Sequence, residues 1–194
     1  TDFDSNVRVI DMVTGTGFTM SGYPVRSLFS FNFQGLNEDG VPTFINESGQ
    51  VTTSDIYFQE YNEKSHLVYE GSIDPTITGS FGNVFTYKNF KLNVFMTYAF
   101  GNVIRLDPVF KSSYSDLTAM PKEFKNRWTV QGDELITNVP VIADKRLLNN
   151  DPYLSYAYNA YNYSTERVAK GDFIRMKEIS LTYDFPAKLI QPLK

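Results

Sequence analysis

The stretch TITGSFGNVFTYKNFKLNVFMTYAFG, residues 76–101, decides the fold. A two-residue turn at Lys88-Asn89 pairs its arms so that one face reads Tyr87–Phe90, Phe85–Leu92, Asn83–Val94, Phe81–Met96, Gly79–Tyr98 and Ile77–Phe100. The opposite face reads Thr86–Lys91, Val84–Asn93, Gly82–Phe95, Ser80–Thr97 and Thr78–Ala99. One register thus separates an apolar face, with Asn83 its single misfit, from a mostly polar one, as an antiparallel hairpin requires. Asn89 suits the second turn position because asparagine tolerates the positive φ that tight hairpins use. Each arm runs to roughly 11 residues, against about 5–6 for an ordinary strand. A tilted strand crossing a bilayer needs about 9–11. The hairpin is long enough to cross a membrane.

Outward from the hairpin, the period of two recurs twice. Upstream, Phe29, Phe31 and Phe33 alternate with Ser30, Asn32 and Gln34, predicting a strand over about 25–34 after the stop at Gly22-Tyr23-Pro24. Downstream, Ile179, Leu181, Tyr183 and Phe185 alternate with Glu178, Ser180, Thr182 and Asp184, predicting a strand over about 171–185 that Pro186 ends. Its first half has two readings. Either Phe173, Arg175 and Lys177 continue the apolar face, or a bulge hands that face to Ile174 and Met176. Near the start, Val7–Ile10 reads as a short strand and Thr14–Gly17 as loop.

The expected strands are therefore about 25–34, 76–87, 90–101 and 171–185, joined by long, two-residue and long connections. The long ones, about 35–75 and 102–170, fall on one side of an up-and-down sheet, and outer-membrane barrels carry long external loops in that way. The first holds turn signals at Asp39-Gly40 and Ser48-Gly49, which suggest a small hairpin. The second suggests a short helix over 116–128 capped by Ser115 or Asp116, with Pro121 limiting or restarting it. Residues 187–193 read as a short helix or turn. The fold class expected is all-β, a portion of an antiparallel transmembrane β-barrel with about 4–5 long strands. A soluble β-sandwich that binds carbohydrate shares the same alternation and is the competing reading.

Composition excludes several functions. Aromatics are 15% of the 194 residues and hydrophobics 42%, which rules out disorder and disfavours a helical bundle. No apolar run approaches the length of about 18 residues that a membrane helix needs. The chain has no cysteine, so disulfides and thiolate metal sites are out. A net charge of −4 argues against nucleic acid as a partner. Thr1 does not open a signal peptide, so the chain is expected to be processed or to be an internal piece of something longer.

No catalytic constellation stands out, and neither catalysis nor a cofactor is expected. Asp39, Glu47 and Asp55 lack calcium-loop spacing, and His66, the only histidine, has no partner pattern for a zinc site or dyad. Asp133-Glu134 is the nearest thing to a glycosidase pair, but adjacency along a loop does not supply carboxyls on either side of a scissile bond. For contact with a substrate or partner the candidates are aromatic: Trp128, Tyr153, Tyr156, Tyr158, Tyr161 and Tyr163. Tyrosines of this kind either stack on a ligand or pack their own loop.

Three segments together resemble one family. GYPVRSLFSFNFQGLNEDGVPTF at 22–44 is similar to a "G-x-P-x-x-S-x-x-x-x-x-F-x-G" strand and turn. DPTITGSFGNVFTYKNFKLNVFMTYAFGN at 74–102 looks like a "DP-x-x-x-G-x-x-N-x-x-x-Y-K-x-F" hairpin. NRWTVQGDELITNVP at 126–140 and GDFIRMKEISLTYDFP at 171–186 resemble an "RW-x-x-x-GD-x-T-x-x-P" loop and a "FIRLK-x-(I/V)-x-L-x-Y-x-x-P" strand, with 134–137 departing slightly from the loop pattern. These are motifs of the SusC/RagA-type TonB-dependent outer-membrane transporters of Bacteroidetes. The resemblance implies a plugged barrel of about 22 strands, of which this chain would supply four or five near the C-terminal third. It also implies import of a glycan or oligopeptide, a SusD-like surface lipoprotein as lid, TonB as energy source through a region outside this chain, and location in the outer membrane.

Overall fold

The computed structural model describes residues 7–59, 65–111, 121–142, 148–149 and 151–186. Among them the strands are β1 (Ser27–Phe31), β2 (Phe33–Leu36), β3 (Pro42–Ile45), β4 (Val51–Thr52), β5 (Leu67–Ser72), β6 (Ile77–Tyr87), β7 (Phe90–Phe100), β8 (Val103–Arg105), β9 (Val168–Lys170) and β10 (Phe173–Tyr183). Two α-helices are α1 (Val9–Val13) and α2 (Leu154–Asn162). Every strand pairing is antiparallel. The fold is all-β in character, and among the described residues no sheet closes into a barrel. The chain divides into two compact units, Thr1–Ile73 with Val103–Lys170, and Asp74–Asn102 with Gly171–Lys194.

The second unit is the simpler one, a sheet of order β10-β7-β6 with 11 residues in each strand. The β6–β7 register is the one the side-chain pattern dictates, from Ile77 opposite Phe100 to Tyr87 opposite Phe90. The tight turn differs in one detail. The left-handed residue is Lys88, at φ 51, rather than Asn89. Its ammonium lies 5.3 Å from the centre of the Tyr87 ring, a cation–π contact that helps hold it there.

Strand β10 resolves the open question of phase. Met176 pairs with Met96 but Glu178 pairs with Phe95, so Lys177 is the extra residue of a β-bulge. Ile174 and Met176 therefore join Ile179, Leu181 and Tyr183 on the face that carries Leu92, Val94 and Met96. Within the sheet, Gly79 leaves room for the Tyr98 ring opposite, since a Cβ there would collide with the Tyr98 hydroxyl.

The first unit is less regular. Residues 7–10, expected as a strand, enter α1 instead. Asp11 accepts hydrogen bonds from the Arg8 backbone and guanidinium, which closes the first turn, and Val9, Met12 and Val13 then share a buried face. The expected strand at 25–34 is two strands broken at Asn32. β1 pairs with β5, whereas β2 joins β3 and β4. β1 is buried on both sides, Ser27 and Ser30 included, so it is an interior strand and not a one-sided wall. The connection at 35–75 accordingly carries the anticipated hairpin (β3–β4) and also β5, whose sequence LVYEGS lacks a clean alternation.

Phe31, Phe44, Ile56, Phe58, Ala157 and Tyr161 form the centre of this unit's core. From the region after β8 this core takes Phe124, in a 3₁₀ turn at Lys122–Asn126 that follows Pro121, and Ala157, Ala160 and Tyr161 of α2, while β8 and β9 pair with each other. The remainder of the helix expected over 116–128, and the one over 187–193, fall outside the described residues.

Candidate functional site

Two surfaces bring together the residues that the sequence marks. The first is the apolar face of the three-stranded sheet. Its middle carries Leu92, Val94, Met96, Ile179 and Leu181. One end carries a ring cluster: Phe90 lies 4.6 Å from Tyr183, Tyr183 packs edge-on to Phe185 at 5.1 Å, and Tyr87 pairs with Phe90. At the other end Tyr98 stacks on Phe100 at 5.4 Å. These side chains are not covered: Phe85 is 55% exposed, Ile179 67% and Leu181 68%. A sandwich would bury such residues beneath a second sheet. The face is apolar through its middle, Phe81 and Phe85 included, carries further rings at both ends, and is left open.

The reverse face is mostly polar, with Val84, Phe95 and Phe173 among its exceptions. The Asn93 amide donates to Glu178 at 2.7 Å, the Ser180 hydroxyl donates to the same carboxylate at 3.2 Å, and Lys91 pairs with Asp184 at 3.1 Å. The bulge at Lys177 keeps Glu178 and Ser180 on this side while Ile179 and Leu181 stay on the other. Exposed ion pairs of this kind contribute little to stability, on the order of 0–1 kcal/mol. Their significance is the sidedness they reveal.

The second surface belongs to the first unit and is made by α2. The helix sorts the tyrosines that the sequence places together. Tyr158 and Tyr161 lie on its buried side, Tyr158 donating its hydroxyl to the Val141 carbonyl at 2.8 Å and Tyr161 meeting Phe33 edge-on at 5.6 Å. Burial pushes the Tyr161 phenol well above its ordinary value. Tyr163, half-buried, packs on Phe58 at 6.0 Å. Tyr153 and Tyr156 face solvent, 59% and 46% exposed, with ring centres 6.3 Å apart. The spacing Leu154, Ala157, Tyr158, Tyr161 is the helical signal in this stretch, and it leaves Tyr153, Tyr156 and Asn159 on the free side.

Trp128 has a packing role. Its ring lies over Gly40, where a Cβ would meet the indole at 2.5 Å, and Gly40 is left-handed at φ 72 besides. Any other residue there would both strain the backbone and displace the tryptophan. The Trp128 indole N–H donates to Glu134 at 2.9 Å, and the Gly132 amide donates to the same carboxylate oxygen at 2.8 Å. Asp133 receives the Thr129 hydroxyl and the Thr129 and Val130 amides. Both carboxylates thus organise the 128–134 loop.

These bonds set a pH response. The Thr129 hydroxyl, then backbone amides, hold the Asp133 carboxyl below its usual range, and the Trp128 indole does the same for Glu134. A carboxyl with a lowered folded-state pKa contributes stability above its ordinary value and loses it as pH falls through the lowered one. The indole N–H resonance of Trp128 is therefore expected to shift only below pH 4.5, the ordinary glutamate value. Glu134→Gln, which has no proton to gain, should leave that resonance flat through the same range.

Among the described residues no group of three or more His, Asp or Glu side chains is placed to hold a metal ion, and no helix is long and apolar enough to cross a membrane. The sequence did not single out Tyr57, Gln59 or Asn159, which lie beside Tyr153 and Tyr156 along a groove of about 540 Å³.

No protein-family model and no curated protein match the sequence. Solved structures do. A chain of the RagAB peptide importer in its "closed-closed" state aligns with a TM-score of 0.55 at 18% identity, over 90% of this chain and 19% of that one. A chain of the same importer in its "open-open" state aligns with a TM-score of 0.52 at 20% identity, over 87% and 17%. The present chain spans about a fifth of the length of these neighbours. At this level of identity the likeness establishes the fold alone.

Proposed function

We propose that this chain is a wall segment of an outer-membrane importer that takes up a glycan or oligopeptide nutrient, energised by TonB and lidded by a SusD-like surface lipoprotein. In this reading β6, β7 and β10 cross the bilayer. Eleven residues at about 3.3 Å each give about 36 Å of strand, and a tilt of about 35–45° projects this to about 25–30 Å. That length matches an apolar band of about 25 Å between aromatic girdles. Among the described residues the outer edges of β6 and β10 have no partner in their own sheet. Unpaired edges are untenable in hydrocarbon, so neighbouring strands of the same transporter would complete the wall.

The observation that carries the proposal is the uncovered apolar face of 11-residue strands, with aromatic rings clustered at both of its ends. The resemblance of the motifs and the likeness to peptide-importer chains support the nutrient class. The role is transport, without catalysis, cofactor or nucleic acid. The chain has no cysteine of its own, so single cysteines report cleanly. With the protein in lipid vesicles, Leu181→Cys should resist a water-soluble maleimide while Ser80→Cys reacts. Equal reaction of the two, in a protein that stays monomeric without detergent, would favour the soluble carbohydrate-binding module instead.

A further inference from the structure

The groove beside α2 has a composition that narrows what it can hold. Three exposed or half-exposed rings, Tyr57, Tyr153 and Tyr156, line it with the side-chain amides of Gln59 and Asn159. Ile10 and Phe58 complete its floor, and among the described residues no Asp, Glu, Lys or Arg lines it. The nearest guanidinium, Arg8, is committed to Asp11 through two nitrogens, each at 3.1 Å. A third Arg8 nitrogen donates to the Gln59 carbonyl oxygen at 3.0 Å, which turns the Gln59 amide NH₂ away from it as an available donor. Asn159 is exposed and its amide has no hydrogen-bond partner among the described residues. At about 540 Å³ the groove falls within the usual range of about 300–1,000 Å³ for ligand sites.

We infer that this groove binds a neutral saccharide. The rings of Tyr153 and Tyr156, inclined to each other by 32°, form a floor on which the C–H faces of pyranose units can lie. Tyrosine supplies such a surface at low entropic cost because only two torsions need fixing. The two amides each present donors, and Asn159 an acceptor as well, which matches a hydroxyl that gives and takes one hydrogen bond. A peptide brings charged termini and side chains, and the described lining of the groove offers no opposite charge for them. Desolvating an unpaired charge there would be unfavourable. The inference rests on the importer reading for its biological meaning and narrows that reading from glycan or peptide to uncharged glycan at this site.

The test uses the intact protein in detergent and three probes: maltoheptaose, xylohexaose and a zwitterionic hexapeptide of glycine and serine. Binding is followed by saturation-transfer NMR and by calorimetry. At least one saccharide should bind, and Tyr153→Ala with Tyr156→Ala should weaken it about tenfold, equivalent to 1.4 kcal/mol. Tyr156→Phe keeps the ring and should keep most of the affinity. Asn159→Asp adds charge without changing shape and should weaken binding while leaving the melting temperature in place. Equal or tighter binding of the peptide, or saccharide binding indifferent to both ring deletions, overturns the inference. The maleimide experiment separates the two readings. A protein with a lipid-shielded Leu181→Cys that binds neither saccharide keeps the importer and loses the groove. Saccharide binding through the rings in a protein that never inserts into lipid keeps the groove and loses the importer.

Discussion

Val94→Arg is expected to destabilise the protein in lipid vesicles by roughly 2–4 kcal/mol, the cost of arginine on the lipid face near the midplane of a barrel. Val94 sits in the central strand of its sheet, flanked by Asn83 on β6 and Ile179 on β10, at the middle of the apolar face. An arginine there would have to extend about half the strand length to reach water at either end. Ser80→Arg is the matched control. Ser80 lies opposite Thr97 on the hydrated face, and its substitution should change stability by no more than about 0.5 kcal/mol, as surface replacements do. Denaturant titrations of both variants in vesicles read the difference directly. Equal penalties would mean that the two faces of the sheet meet the same medium, and the assignment of the apolar face to lipid would fail.

The hairpin was legible because it encodes its own partner. When both arms of a pair lie within one stretch, the side-chain pattern admits a single register, and a slip of one residue would turn Phe85 and Leu92 to the hydrated side. Strand β10 was only half legible. Its phase depends on the bulge at Lys177, and a bulge becomes visible only against the partner strand, which lies some 80 residues away in sequence. The first unit was the hardest to read. Its β1 is buried on both faces, so alternation there marks nothing. Its core joins Phe31 to Phe58, Phe44 and Tyr161, segments that local pattern does not connect. The tyrosines misdirect for a different reason. Their helical spacing was present, but two neighbouring tyrosines on α2 serve opposite purposes, one packed inside and one facing out, and only the rotation of the helix tells them apart. Nothing in the structure explains Asn83 on the apolar face.

Arg105 supplies the largest effect expected in the first unit, and it was not visible in the sequence at all. It leaves β8 and reaches three further segments of this unit. One terminal nitrogen donates to the Ser164 carbonyl at 2.8 Å. The other donates to the carbonyls of Phe29 at 2.7 Å and Val13 at 3.1 Å, and reaches the Ser30 hydroxyl at 3.1 Å. Burial pushes the guanidinium down to about 10, with Glu70 opposing that shift, so it remains a cation at neutral pH. Burial likewise raises the Glu70 carboxyl, against the pull of Ser30 and then Arg105. Arg105→Leu would keep the bulk and strand these acceptors, each buried acceptor left unmet costing about 1–3 kcal/mol, and would leave Glu70 without its cation. The sum expected is about 3–5 kcal/mol, the range seen when one partner of a buried charged network is removed. Arg105→Lys should recover little, because an ammonium cannot reach acceptors that a planar fork spans. Because the four anchored segments belong to α1, β1, β8 and the turn after α2, hydrogen exchange should accelerate in all four at once. Acceleration confined to β8 and β9 would show that the arginine holds only its own strand pair, and that the core of Phe31, Phe44 and Tyr161 keeps this unit together without it.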